Sequence, residues 1–182
     1  MRRLSFALLP LIMLFPVTLL SGCSGVDVNR YAGQQPVLRL FDYFQGETRG
    51  WGMVQNRSGE VLRRFVVDIQ GSLNPAGELV LEEDFTWSDG ETSRRVWTIQ
   101  RNADGSFTGR AGDVVGTAQG NVAGNALNWN YLLDLEVDGK TWTIRFNDWM
   151  FLQPDQVLIN RATMTKFGFR VGEIIITFAK PE

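Results

Sequence analysis

Residues 127–137 read LNWNYLLDLEV, with Leu127, Trp129, Tyr131, Leu133, Leu135 and Val137 at every second position. Successive side chains of an extended chain point to opposite faces, so this spacing predicts a strand with one apolar face. Asp138-Gly139 follows as a turn, and residues 140–151, 156–166 and 169–179 continue as further strands. Toward the N-terminus the same period of two recurs. Residues 91–101 read as a strand, Leu79, Leu81, Glu83, Phe85 and Trp87 share a face, and so do Val61, Arg63, Phe65, Val67 and Ile69. Between them lie the turn segments Gly71 to Gly77, Ser88-Asp89-Gly90 and Asn102-Ala103-Asp104-Gly105. Long strands joined by such turns pair as antiparallel hairpins in sequence order. The expectation is an all-β, antiparallel up-and-down barrel of nine or ten strands. One apolar face per strand excludes a parallel sheet buried on both sides.

Ahead of the strands, Pro36 is followed by Leu38, Phe41 and Phe44 at three-residue spacing, which predicts a short helix that starts at the proline and ends at Gly46. Glycine recurs at 105, 109, 112, 116, 120 and 124. Without a following Gly-Lys-Ser/Thr and a helix this is no phosphate loop. It reads instead as strands that bend sharply or admit a bulky neighbour such as Trp129 or Trp149.

The chain begins MRRLSFALLPLIMLFPVTLLSGC, in which Arg2 and Arg3 precede the apolar stretch Leu4 to Leu20 and Leu20-Ser21-Gly22-Cys23 closes it. Pro10 and Pro16 make this a poor permanent span, and the pattern is that of a cleaved secretion signal. Cys23, the sole cysteine, stands where a lipoprotein signal peptidase needs its thiol, and acylation there would remove a free thiol from an oxidising compartment. The expected organisation is a signal peptide over 1–22, a lipidated tether over 23–36 and a single barrel domain over 37–182. Ser24, rather than Asp, favours the periplasmic face of the outer membrane by the sorting behaviour of lipoproteins generally. A barrel crossing the membrane would turn its apolar faces outward and be redundant beside the lipid.

Once Arg2 and Arg3 leave with the leader, 16 basic residues stand against 20 acidic ones, net −4. No basic patch of the kind nucleic-acid binding requires is present. The chain has no histidine, so the commonest general base, the commonest metal ligand and a Ser/His/Asp arrangement are all missing. With Cys23 acylated, thiolate catalysis and cysteine zinc sites fall away too. No metal and no cofactor is expected.

What remains is a set of polar residues on otherwise apolar strand faces. Arg63, Glu83, Arg95 and Asp148 each interrupt such a face, as does Glu173 beside Val171 and Ile175. A buried unpaired charge costs several kcal/mol, so these side chains either pair internally or line a wet cavity. Arg57, Asp113 and Arg161 stand in or near strand ends. Tyr131, and Trp149 among the six tryptophans, add amphipathic surface suited to a cavity wall or a barrel mouth. These nine residues, Arg57, Arg63, Glu83, Arg95, Asp113, Tyr131, Asp148, Trp149 and Arg161, are the candidate ligand contacts. No catalytic set stands out. Asp148, Asp113 and Glu83 are the carboxylates on which an acid–base enzyme would have to run.

Five stretches carry a resemblance: residues 50–71 (GWGMVQNRSGEVLRRFVVDIQG), 81–99 (LEEDFTWSDGETSRRVWTI), 107–131 (FTGRAGDVVGTAQGNVAGNALNWNY), 146–152 (FNDWMFL) and 158–174 (LINRATMTKFGFRVGEI). They resemble a bacterial lipoprotein family, domain of unknown function 3833, over nearly all of the mature chain. That family usually has Gln-Asp-Arg where this chain has Gln55-Asn56-Arg57, and Asp-Asp-Trp-Met where it has Asn147-Asp148-Trp149-Met150. Both departures replace Asp by Asn and argue against a strict catalytic carboxylate at 56 or 147. The resemblance implies an envelope lipoprotein with a lipid-related role. By analogy the fold looks lipocalin-like, with Gly50-Trp51-Gly52 a loose echo of the lipocalin Gly-x-Trp. Three readings follow. The first is a membrane-tethered binder of a lipid or small hydrophobic ligand, such as a fatty acyl chain or isoprenoid. The second is a solid barrel that docks an envelope partner, and the third a carboxylate-dependent enzyme on envelope lipids.

Overall fold

Alternating side chains give each strand one face to bury, and short turns make consecutive strands pair antiparallel. The computed structural model describes residues 25–137 and 139–181. The signal over 1–22, the acyl site at Cys23 and Asp138 of the Asp138-Gly139 turn therefore lie outside the described residues. Ten strands occur among those described: β1 (Gly46–Asn56), β2 (Val61–Leu73), β3 (Leu79–Trp87), β4 (Thr92–Arg101), β5 (Phe107–Arg110), β6 (Val114–Ala123), β7 (Ala126–Val137), β8 (Lys140–Leu152), β9 (Leu158–Lys166) and β10 (Phe169–Ala179). Each pairs with its sequence neighbours, and β1 pairs with β10, with Trp51 opposite Thr177. The sheet is an all-β, closed antiparallel barrel of the lipocalin-like kind. Closure gives the outermost strands partners and so removes the exposed edges of an open sheet.

The face read from residues 127–137 points inward: Leu127, Trp129 and Leu133 are buried. Leu127 and Trp129 meet Phe65, Val67 and Ile69 of β2, Leu79 and Leu81 of β3, and Trp97 and Ile99 of β4 in one core, while Leu133 packs with Ile144, Phe146 and Ala162 in a second cluster. Glycines let large rings cross it. Trp129 lies over Gly109 and Gly120, where a Cβ would collide with its indole, and the Phe65 ring sits over Gly52 in the same way. Gly116 has φ 73° at the shift of register between β6 and β7, so the glycine series serves both a bulge and a large ring.

The two ends of the barrel differ. A single helical turn, α1 (Leu40–Phe44), spans one of them. Its Tyr43 hydroxyl donates to Gln156 O at 2.9 Å, in the β8–β9 connection. Phe41 meets Phe107 at the start of β5, and the Phe44 carbonyl rests on Gly71 near the end of β2. Lys180, just past β10, donates to Gln45 O at 2.8 Å and Glu47 O at 2.9 Å. At the opposite end the hairpins β1–β2, β3–β4, β5–β6, β7–β8 and β9–β10 turn, and no helix among the described residues covers it.

Two expectations for the N-terminal segment need correction. The helix begins at Leu40, with Arg39 as its cap, and not at Pro36. The Leu38 N–H donates to Gly124 O at 2.8 Å, which ties the residues ahead of α1 to the β6–β7 turn. The segment read as a short polar tether is also folded against the barrel from Val28 onward. Val28–Tyr31 form a short 3-10 helix started by Asp27, whose Oδ1 accepts from the Asn29 N–H at 2.9 Å. Val28 is buried, and the Tyr31 ring packs edge-on against Phe151 (5.1 Å) and Trp149 (5.7 Å). The polar composition of 24–36 conceals these two apolar anchors.

Candidate functional site

Side chains from strands around the barrel enclose an interior cavity of about 450 Å³ that runs from Leu40 and Phe44 of α1 to the uncovered end. The volume lies within the range of small-molecule sites, roughly 300–1,000 Å³. The wall contributed by β1, β2, β9 and β10 is largely apolar, with Val54, Phe65, Val67, Met164, Ile174 and Ile176. Most of the polar groups stand on the other side, on β3, β4, the β5–β6 turn, β7 and β8.

Arg95 is the centre of that polar wall. Strand register places it opposite Glu83. Its Nε and Nη2 donate to Asp113 Oδ2 at 3.0 and 2.7 Å, a side-on fork that fixes the guanidinium plane. Asp113 is held in reach because the Asp134 N–H donates to its backbone carbonyl at 2.9 Å, tying the β5–β6 turn to β7. Asp148 of β8 is 4% exposed, and its Oδ2 accepts from the Tyr131 hydroxyl at 3.4 Å. Asn160 of β9, 3% exposed, completes the cluster. Asp148 Oδ1 and Asn160 Oδ1 are both buried with no protein donor.

Burial dominates the electrostatics. It pushes the Asp148 carboxyl up to about 7, against the opposing pull of the Asn160 and Tyr131 side chains and the Arg95 charge. It likewise pushes Glu83 up to about 7, with Arg95 pulling down and Asp113 adding to the rise. The Tyr131 hydroxyl is raised well above its ordinary range by burial and then by the Asp148 charge. For Arg95 burial acts against the charge, but Glu83 and Asp113 outweigh it and hold the guanidinium protonated.

At the uncovered end Arg63 lies 4.1 Å above the Trp87 ring and donates to Glu91 Oε2 at 2.8 Å, with Asp89 Oδ2 at 2.7 Å. Trp87 stacks on Phe85 (6.0 Å, 17°), so the entrance is framed by aromatic rings.

Six of the nine residues expected as ligand contacts therefore line one cavity: Arg63, Glu83, Arg95, Asp113, Tyr131 and Asp148. Three lie elsewhere. Arg57 sits in the exposed β1–β2 turn, where its carbonyl accepts from Arg170 Nη2 at 3.4 Å. Trp149 is on the outer face beneath Tyr31, one position out of phase with Asp148. Arg161 is also on the outer face, where its Nε donates to Glu173 Oε1 at 2.6 Å and helps bury that carboxylate. Asn160 was not among the expected contacts. The signal was present, since Asn160 interrupts the apolar set Leu158, Ala162 and Met164 as Asp148 interrupts its own. Among the described residues no three Asp, Glu or Cys side chains gather as a metal-ligand set.

The model of the family described as "Protein of unknown function (DUF3833)" matches residues 17–180. Among solved structures the barrel is similar to the S-type phycobiliprotein lyase CPES from Guillardia theta. The TM-score is 0.58 at 9% identity, and the match covers 78% of this chain and 90% of that one. That likeness carries the fold. No match was found among curated protein sequences.

Proposed function

The chain belongs to the DUF3833 family, and from that premise we propose that it is an envelope lipoprotein whose barrel binds a small lipophilic or amphipathic ligand. The observation that carries the ligand reading is the cavity of about 450 Å³, apolar on one side and polar on the other. Close-packed interiors do not leave such volumes empty without consequence: each buried Leu or Phe side chain that filled it would stabilise the fold by about 1.5–3 kcal/mol. A solid docking barrel has no use for this space, nor for buried polar atoms left without partners. The lyase of similar fold supports the barrel architecture alone and lends no activity at 9% identity.

Cys23, its preceding Leu-Ser-Gly and the Arg-led apolar stretch support acylation and export. On this reading the protein sits on the periplasmic face of the outer membrane, and the ligand is a fatty acyl chain, an isoprenoid or another molecule with an apolar body. Protein purified from its own cells and sprayed under native conditions should carry an added mass that organic extraction removes. A bare polypeptide from several preparations would end the ligand reading. Labelling with radioactive palmitate that disappears in Cys23→Ser tests the anchor separately.

A further inference from the structure

We propose that, within the ligand-binding reading above, the polar wall of the cavity takes an amphipathic amine, with the apolar body against β1, β2, β9 and β10 and a protonated nitrogen against Asp148 and Asn160. Two buried oxygens, Asp148 Oδ1 and Asn160 Oδ1, come from different strands, line the same cavity and lack donors. Asn160 Oδ1 is an acceptor, and so is Asp148 Oδ1 once its carboxyl, which sits at about 7, is ionised; leaving both unmet in a dry interior is costly, so in that state the missing group is a donor. An ammonium offers up to three N–H bonds and can meet both oxygens at once.

Charge separates an amine from other donors. Taken element by element, the charged and titratable groups lining the cavity are Arg63 on β2, Glu83 on β3, Arg94 and Arg95 on β4, Asp113 in the β5–β6 turn, Tyr131 and Glu136 on β7 and Asp148 on β8. Arg94 is paired with Glu82 and Asp84, and Glu136 accepts from the Thr141 hydroxyl. β9 contributes the neutral Asn160, while β1 and β10 contribute Val54, Ile174 and Ile176. Arg95 is already forked by Asp113, and Arg63 at the entrance is engaged by Asp89 and Glu91. Glu83 and Asp148 share only the field of Arg95, whose fork is taken by Asp113, and neither has an ion pair of its own. The Glu83 charge raises the affinity of Asp148 for a proton, and the Asp113 charge does the same to Glu83, as like charges sharing a site do. A ligand cation would resolve that repulsion, and a ligand carboxylate would add to it. A fatty acid is therefore the disfavoured cargo, although its chain would suit the apolar wall.

The test uses decylamine, decanol and decanoate, which share a chain length and differ in the head group. They are titrated calorimetrically into the mature chain with Cys23→Ser, its fold checked by circular dichroism. At about pH 8.5, where both carboxyls are ionised, decylamine should bind about tenfold more tightly than decanol and further ahead of decanoate, the ratio expected for one buried charge-assisted contact. Lowering the pH to about 5.5 protonates Glu83 and Asp148 and should narrow the gap over decanol. Asp148→Asn and Glu83→Gln, made separately so that one poorly folding variant does not decide the matter, should each narrow it at the higher pH. Decanol or decanoate binding as tightly as decylamine, or a preference unmoved by both variants, would overturn the amine while leaving an apolar ligand in place. Failure of all three probes would count against the ligand reading itself.

Discussion

Asp148 and Glu83 set the protein's response to pH. Their carboxyls sit at about 7 in the folded state, well above the unfolded range. Between about pH 4 and about pH 7 the folded chain holds protons that the unfolded chain has already released, so stability falls as pH rises across that window. The contribution is fully present below the unfolded values and is lost on passing through the folded ones. Thermal unfolding of the ligand-free protein should show a higher Tm at about pH 5 than at about pH 8. Asp148→Asn should flatten that dependence and raise stability at the higher pH by about 1–3 kcal/mol, because it removes an incompletely paired buried charge. A Tm that climbs steadily toward pH 8 would contradict these placements. At this scale the sequence disclosed the site in proportion to how cleanly a polar residue broke an apolar alternation. Glu83, Arg95 and Asp148 do so and line the cavity, whereas Glu173 also interrupts an apolar set but is paired with Arg161 and Arg170 outside it. Arg57, Trp149 and Arg161 were singled out by position or chemistry without that test. Asn147 to Met150 shows the difference: one step along β8 separates a cavity wall from the outer surface.

Elements are held where they are by what glycine leaves out. Gly120 and Gly52 face the rings of Trp129 and Phe65 so closely that no Cβ fits beside either. Gly120→Ala and Gly52→Ala should each destabilise by about 1–3 kcal/mol, as overpacking of a filled core does. The loss would appear as a lower denaturant midpoint with an unchanged slope. Gly59→Ala offers a different comparison: its Cβ position is open, and any cost there comes from its φ of 91°. The strands and their turns were legible because alternation is a strictly local signal. The helix start was not, because Pro36 suits a first helical turn while the Leu38 N–H is taken by Gly124 O, far along the chain, instead of a helical carbonyl. The same holds for Val28 and Tyr31. Their anchoring depends on β6, β7 and the outer face of β8, which no local window contains.

For the molecule as a whole, closure rests on β1 and β10, the first and last strands, which pair from Arg49–Ala179 to Asn56–Gly172. Sequence order predicted the meander, but the seam itself follows only from the count and curl of strands between. Because the seam joins the ends of the chain, the barrel should unfold as one unit. A version ending at Gly168 should lose the sharp thermal transition entirely, rather than show one lowered by a few degrees. Loss of only a few degrees on calorimetry would mean that the open sheet is stable alone. The placement of the two barrel ends has a consequence for traffic. The chain enters beside the end that α1 seals, and Cys23 stands only two residues before Gly25. Acyl groups on that cysteine would seat the sealed base toward the bilayer and turn the doorway outward, into the aqueous space. A molecule leaving the leaflet that holds the protein would then find no direct way in. Cargo would have to be handed over by something that approaches from across the gap.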